Sequence, residues 1–508
     1  MRPRFHLYLL SLVWSTGPVL AASPELPLDV AIASALEHNV GLRIASYEPA
    51  DALDTVEIED AQFDPSFFAS TALQEGESVP VAGASSESDG RSARIGIDQR
   101  WSTGATVTLD SALDRSGGSS TVLNPDYGAD VGISLSQPLL KGAGTTVNLA
   151  PLARAKVNAE RSLFELRSDV LDLVLETEIA YWNLAYARAD RALTVSSLAL
   201  AENLREENSE RERLGLVTPL EVLQAEAEVL NQQEAIIQAD NNIEDAEDAL
   251  RRAMGQTDFV QAVSDTIVVR ALPEQMQPLR SIDEVVQDTV LNDIDAQVQE
   301  RRIEVERINR MLAQDEVQPD LDLRGGLSYL GRDDSGSRAY SGVYSADGYA
   351  WSVGLELRVP WGLREARARE RQAERGVEQA TLQLYDIKQA KALAARNAWR
   401  SASSGLKRIE VTRAAMRLNQ EAFEQERARY GSGLVAYRSV LEAQRDYDRA
   451  KSNYLGSLIE TLRAIVRLSR IDGTLLQRNG LDWDAVAPYT ELTTPRAELN
   501  TSRESNTP

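Results

Sequence analysis

The chain has 508 residues, which is enough for about three domains of ~150 residues or for one elongated, duplicated body. It carries 54 basic and 78 acidic residues, and the resulting net charge of -24 argues against a phosphate-binding surface and hence against nucleic acid as a partner. Because cysteine is absent, disulfides, thiol catalysis and thiolate metal sites are excluded. Of the two histidines, His6 lies in a segment expected to be removed, and a lone His38 is more often structural than catalytic.

The N-terminus has the pattern of an export signal. Arg2 and Arg4 precede a short apolar run at residues 7–14, and residues 19–21 offer small side chains for cleavage. We therefore expect residues 1–22 to be a signal peptide. The apolar run is shorter than the ~20 residues of a membrane-spanning helix, and no cysteine follows the cleavage position, so we expect no lipid anchor.

The first strand region is expected at residues 64–138. Near its end Val131, Ile133 and Leu135 alternate with small or polar residues, which is the period of a β-strand. Interruptions rich in Gly, Ser or Pro are expected as a loop around residues 76–92, a hairpin turn at 102–104 and a second loop at 117–126.

A second, shorter strand region is expected at residues 319–360. By pattern, residues 319–327 pair with residues 349–360, and a loop rich in Gly, Ser and Asp separates them. Prolines bound both regions, as expected where a strand gives way to a helix. After the signal no long apolar stretch follows, so any entry into a membrane would have to use strands of a closed barrel.

The remaining sequence predicts helices, two of them very long. A helical hairpin is expected at residues 149–253, and its first helix of ~65 residues would extend about 100 Å. The second helix has apolar residues at sevenfold steps, which indicates coiled-coil packing; they are Val222, Val229, Ile236, Ile243 and Leu250. A second hairpin is expected at residues 364–469, although Asp448 interrupts its heptads.

The turns of the two hairpins match at one constant offset. Arg211 corresponds to Arg429, and the Gly-Leu-Val sequence at 215–217 recurs at 433–435. This agreement marks an internal duplication. We expect a first repeat at residues 23–253 with its tip near 211–219, and a second repeat at residues 254–470 with its tip near 429–437.

These features together resemble the TolC-like family of outer-membrane efflux proteins, over nearly the whole mature chain. Besides the two turns, the resemblance rests on segments that occur in the family's order, at residues 28–39, 64–66, 136–142 and 178–184. By resemblance, residues 254–311 and 466–490 would form a mixed belt around the helices, with an equatorial C-terminal segment at 471–490. The tail at 491–508 is polar and is expected to be disordered.

The resemblance implies a mainly α fold with a β-barrel portion. In that family three chains together close one outer-membrane β-barrel, commonly of twelve strands, which continues into a trimeric α-barrel of coiled-coil hairpins in the periplasm. The implied function is passive exit through the outer membrane of a Gram-negative bacterium. Its implied partners are a periplasmic adaptor, an inner-membrane ABC or proton-driven transporter and outer-membrane lipid. No catalytic residue, cofactor or metal is implied. The turn at 102–104 departs from the minimal pattern and leaves room for extra strands.

The resemblance also assigns two sets of site residues. Adaptor binding is expected at the hairpin tips, by Arg211, Leu214, Gly215, Leu216, Val217, Thr218, Arg429, Tyr430, Gly431, Gly433, Leu434 and Val435. A periplasmic gate is expected at Glu221, Gln224, Ser439 and Glu442. The glycines would also be explained by a chain reversal that needs positive φ, and Glu442 by a solvated coiled-coil charge. Ser439 departs from the family's acidic pattern because it carries no charge.

Two other classes of protein remain as alternatives. A periplasmic adaptor also contains a long coiled-coil hairpin, but usually one, whereas here the hairpin and the strands are both duplicated. A structural coiled-coil protein would lack the strands that interrupt the helices. The sequence identifies neither the cargo nor the transporter.

Overall fold

The computed structural model describes residues 25–78, 86–118, 126–256, 266–481 and 483. The expected signal peptide at 1–22 and the expected tail at 491–508 lie outside these residues. Within them the helices are α1 Leu28–His38, α2 Val40–Ala45, α3 Tyr47–Ala61, α4 Thr145–Asn148, α5 Ala150–Arg213, α6 Pro219–Ala253, α7 Ile282–Asn292, α8 Ile294–Asp315, α9 Gly336–Ser345, α10 Arg364–Gly431, α11 Tyr437–Ile471 and α12 Leu475–Arg478. The strands are β1 Ser66–Ser78, β2 Ser86–Arg100, β3 Thr106–Gly118, β4 Asp126–Pro138, β5 Asp320–Asp333 and β6 Gly348–Arg358.

Two continuous helices set the length of the molecule. Helix α5 has 64 residues and α10 has 68, so each extends about 100 Å at 1.5 Å per residue. The 35-residue helices α6 and α11 fold back along the halves of α5 and α10 that lie next to the turns. Helix α3 packs on α5, and α8 packs on both α5 and α10. The two hairpins meet where α5 packs on α11.

The core between the repeats is apolar around the middle of α5. Tyr181 and Leu184 are fully buried and pack with Leu250 of α6 and with Ile459 and Leu462 of α11. The Tyr181 hydroxyl donates a hydrogen bond to the backbone oxygen of Leu26 at 2.8 Å. This core therefore joins the N-terminal segment and both hairpins.

The segments after each hairpin pack around the same helices. In α7, Val285 is buried against Ala395 of α10 and Leu468 of α11. Leu475 and Leu476 after α11 are buried in a cluster with α5 residues. The C-terminal segment expected at 471–490 is described only as far as residue 481, and at 483. None of the helices described is long and apolar enough to cross a membrane.

All six strands form one antiparallel sheet in sequential order. The first region contributes four strands where the family's minimal pattern has two, and the hairpin turn expected at 102–104 joins β2 to β3. Residues 86–92, expected in a loop, begin β2, and Gly117 and Gly118, expected in the next loop, end β3. Strand pairing continues through these polar residues, for example between Gln74 and Gly90. It can do so because alternate side chains of a strand lie on opposite faces and only one face needs to be apolar.

The connection between β5 and β6, expected as a loop, contains α9. Ala339 and Val343 of this helix are buried against Ala129 of β4. Gly331 permits the close approach, because a Cβ atom there would lie 1.9 Å from the backbone oxygen of Ala339. Packing on the sheet therefore stabilises a helix that the Gly- and Ser-rich composition did not predict.

Candidate functional site at the paired hairpin tips

The two hairpin turns share one backbone geometry. The Leu216 N–H donates to the Arg211 oxygen at 2.9 Å, and the Leu434 N–H donates to the Arg429 oxygen at 3.0 Å. In each turn the intervening glycine has positive φ, 71° at Gly215 and 73° at Gly433. Such a bond across a left-handed residue is a Schellman C-cap. The duplicated glycines are therefore needed for the reversal itself, whether or not they contact a partner.

The first tip binds the second through Arg211. Its guanidinium donates hydrogen bonds to the backbone oxygens of Tyr430 at 3.0 Å and Gly431 at 2.8 Å. It also lies over the Tyr430 ring, 4.4 Å from the centroid. The Tyr430 hydroxyl donates to the side-chain oxygen of Asn208 on α5. The two tips are thus joined by polar contacts between segments far apart in sequence.

An aromatic cluster lies behind this contact. Tyr430 and Tyr437 are buried with centroids 5.7 Å apart, and Phe423 is buried beside them. Val217 and Val435 are half-buried against the cluster. Burial, with the nearby Glu228 carboxylate, raises the pKa of Tyr437 to about 12, and burial also raises the pKa of Tyr430. These hydroxyls are therefore neutral at physiological pH.

The twelve expected tip residues divide by exposure. Leu214, Leu216 and Leu434 are exposed at 73%, 69% and 71%, whereas Tyr430 is only 3% exposed and lies inside the contact between the tips. The other exposed members are Gly215, Thr218, Arg429, Gly431 and Gly433, and the half-buried ones are Arg211, Val217 and Val435. Leu220 and Leu223 of α6 are also exposed, although neither is among the twelve residues expected from the sequence.

The four expected gate residues lie in the first turns of α6 and α11. Glu442 is exposed and pairs with Arg438 at 2.9 Å, whereas Ser439 and Gln224 are half-buried. Glu221 is half-buried, and its Oε2 has no hydrogen-bond partner among the described residues. Among these four residues a single chain therefore presents one exposed carboxylate, that of Glu442. The positive charge of Arg438 partly neutralises it.

Between the tips and the apolar core around Tyr181, one layer of the contact between α5 and α11 is polar. Asp448 accepts hydrogen bonds from the Ser197 hydroxyl at 2.7 Å and pairs with the Lys451 ammonium at 2.7 Å. Gln444, one turn nearer the tip, is fully buried, and no described residue bonds its amide. Asp448 interrupts the heptads in sequence because it pairs across the two hairpins. The break in the heptads at Asp448 is the sequence signal that could have identified this polar layer.

The described residues contain no group of three or more His, Cys, Asp or Glu side chains arranged to hold a metal ion. The candidate site presents exposed leucines on a polar and aromatic support.

Comparison with known proteins identifies similarity over most of the chain. A family model described as outer membrane efflux protein matches residues 31–256 and 285–474. A search of curated proteins finds no significant match.

Solved structures of outer-membrane channels have a similar fold. The outer-membrane channel OprN is 19% identical, with a TM-score of 0.67 over 88% of this chain and 90% of that chain. Campylobacter jejuni CmeC is 16% identical, with a TM-score of 0.65 over 90% of each chain. Vibrio cholerae VceC is also 16% identical, with a TM-score of 0.65 over 90% of this chain and 96% of that chain. The TolC-like resemblance and the mainly helical fold class with a sheet portion are thereby confirmed. The chain belongs to the outer membrane efflux protein family.

Proposed function

We propose that three copies of this efflux-family protein form a passive exit channel in the outer membrane of a Gram-negative bacterium. An inner-membrane ABC or proton-driven transporter supplies the cargo through a periplasmic adaptor, in a tripartite efflux or type I secretion system. The observation that carries this proposal is the pair of tips. Each holds an exposed leucine at the end of a helix about 100 Å long.

Leucines exposed at a tight turn lose contact with water when a partner surface covers them. Leu216 and Leu434 occupy matching positions in the two turns, and both are largely exposed. The Arg211 contact and the buried Tyr430 fix the turns in one arrangement, so an adaptor would not have to order them on binding. A rigid apolar patch of this kind is typical of a protein interaction site.

The outer faces of the hairpins support assembly with further copies. On α6, the exposed residues Leu223, Leu230 and Ile237 follow one another at seven-residue steps, and on α10 Val411 and Leu418 do the same. Such apolar stripes are the seams of coiled coils. In the described chain α5 and α11 lie between α6 and α10, so the stripes are free to pair between neighbouring copies.

The entrance of this channel would carry three Glu442 carboxylates. A ring of negative charge at a pore mouth favours cations. Arg438 lies one turn away and pairs with Glu442 in the single chain, so we expect a moderate preference and no strict selection.

Thiol crosslinking in cells tests the adaptor surface without background, because the chain has no cysteine. Leu216→Cys and Leu434→Cys, labelled with a photoactivatable maleimide, should each capture the adaptor. Leu291→Cys on α7 is the matched control, since Leu291 is exposed at 68% but lies far from the tips. The tip assignment is wrong if neither tip captures an adaptor. Fractionation of the mature chain to the periplasm or inner membrane would instead favour the competing adaptor function.

A further inference from the structure

One face of the six-stranded sheet is apolar from edge to edge. A single register row crosses all six strands on this face; its members are Phe67, Ile97, Leu109, Ile133, Leu327 and Trp351. The two members at the edges, Phe67 and Trp351, are exposed at 82% and 69%. Along β6 every second residue from Tyr349 to Leu357 is a large exposed hydrophobic residue. Helix α9 covers this face near Ala129 of β4, and the uncovered remainder suits contact with hydrocarbon.

The opposite face is polar. The neighbouring register row on that face consists of Ser66, Asp98, Thr108, Ser134, Gly326 and Ser352. Arg94 pairs with Asp110 at 3.6 Å, and Arg324 pairs with Glu356 at 2.7 Å, on the same side. An apolar outer face and a charged inner face are typical of a membrane barrel with a water-filled lumen.

The sheet described here is open. Strands β1 and β6 form its two edges, over 13 and 11 residues. Unpaired backbone groups are not tolerated in hydrocarbon, so these edges must be paired inside the membrane. Six strands are too few to close around their own side chains, because about eight already fill the interior of a barrel. The partner of each edge is therefore another polypeptide edge.

The edges are matched for pairing with a second copy. Strand β1 starts near the end of α3 and runs away from the helices, whereas β6 runs back toward the start of α10. Placed side by side, β1 of one copy and β6 of the next are antiparallel, as are all neighbours within the sheet. Their odd-numbered residues then continue the apolar face across the junction.

We propose that three copies join β1 to β6 and close an eighteen-stranded barrel, in place of the twelve strands common in the resembling family. This inference rests on the trimer of the proposed function. Because barrel diameter grows roughly linearly with strand number, eighteen strands give a diameter about 1.5 times that of twelve.

Disulfide trapping tests the junction in the intact protein. Ala69→Cys or Thr71→Cys in β1 is combined with Val353→Cys, Leu355→Cys or Leu357→Cys in β6, and purified outer membranes are oxidised. At least one combination should give a covalent, thiol-reducible trimer. Ser70→Cys with the same β6 partners is the matched control, because Ser70 lies on the polar face and should not link.

A second pair of cysteine substitutions, placed in the helices, distinguishes failure of this inference from failure of the proposed function. Leu230→Cys and Leu418→Cys, on the stripes of α6 and α10 at similar distances from the tips, should link neighbouring chains with a bismaleimide. If this pair gives trimers and every odd-numbered β1–β6 pair fails, the eighteen-stranded barrel is wrong while the trimeric channel stands. If the helical pair fails as well, the proposed trimer is wrong. Electron microscopy of the extracted channel should count eighteen strands, and a count of twelve would overturn the inference.

Discussion

Arg211 joins the two hairpin tips, and we expect Arg211→Ala to loosen them. The substitution removes two hydrogen bonds to backbone oxygens, at 3.0 and 2.8 Å, and the stacking on Tyr430. A hydrogen bond to a charged group contributes ~1.5–3 kcal/mol when buried, and the stacking ~0.5–1 kcal/mol. Because the Arg211 side chain is 19% exposed, water can replace part of the hydrogen bonding that the substitution removes. We expect the free energy of local opening to fall by about 2–3 kcal/mol.

Hydrogen exchange of backbone amides measures this opening directly. A change of 2–3 kcal/mol corresponds to a roughly 30- to 150-fold faster exchange, because each 1.4 kcal/mol is tenfold. The effect should be confined to the last turns of α5 and α10 and the start of α11. The amides around Tyr181, in the apolar core far from the tips, should keep their wild-type rates.

Arg213→Ala is the matched control for this experiment. Arg213 lies two residues away, its side chain is 74% exposed, and it pairs with Glu210 at 2.9 Å. An exposed pair of this kind contributes at most ~1 kcal/mol. Equal effects of the two substitutions, or exchange in Arg211→Ala within twofold of wild type, would refute the reasoning.

Three further changes test the tips and the entrance. Gly433→Ala places a side chain at a φ of 73° and should destabilise the turn by about 1–2 kcal/mol, measured by hydrogen exchange. Its control is Gly456→Ala in α11, where a Cβ atom would meet open space, and this change should stabilise the helix by ~0.5–1 kcal/mol. The pKa of Tyr437 is raised to about 12; between pH ~10 and this value only the unfolded state loses the proton, so stability should fall as pH rises. Tyr437→Phe should remove that part of the alkaline loss in denaturation curves followed by circular dichroism. Glu442→Gln should lower cation preference in planar bilayers, while Glu226→Gln, exposed on α6, should not.

The helices and turns could be predicted closely because their signals are local. The sequence predicted a first helix of ~65 residues beginning at residue 149, and α5 has 64 residues, from Ala150 to Arg213. Heptad steps and a Gly-Leu-Val reversal depend on residues within a few turns of one another. The same local signals account for the match between the two turns.

The missed features depend on contacts between distant segments. The outer ends of β2 and β3, at residues 86–92 and 117–118, consist of residues that resemble loop in isolation. Helix α9 forms because Ala339 and Val343 pack on the sheet. Tyr430 was expected at the adaptor surface, but it is buried because Arg211 and Asn208, more than 200 residues earlier, bind it. A sequence pattern does not show which distant segment will lie opposite.

The burial of Tyr430 also makes the two tips unequal. In the second tip Tyr430 and Tyr437 are buried, and Leu434 is the only large hydrophobic residue exposed between positions 429 and 437. The first tip exposes Leu214, Leu216 and Leu220, whereas the second has Ser432 and Arg438 where the first has Leu214 and Leu220. The first tip therefore offers the larger apolar surface, and the second contributes the aromatic support that holds it. An adaptor surrounding three copies would meet these two surfaces in alternation, so one adaptor chain can match both only by binding them differently.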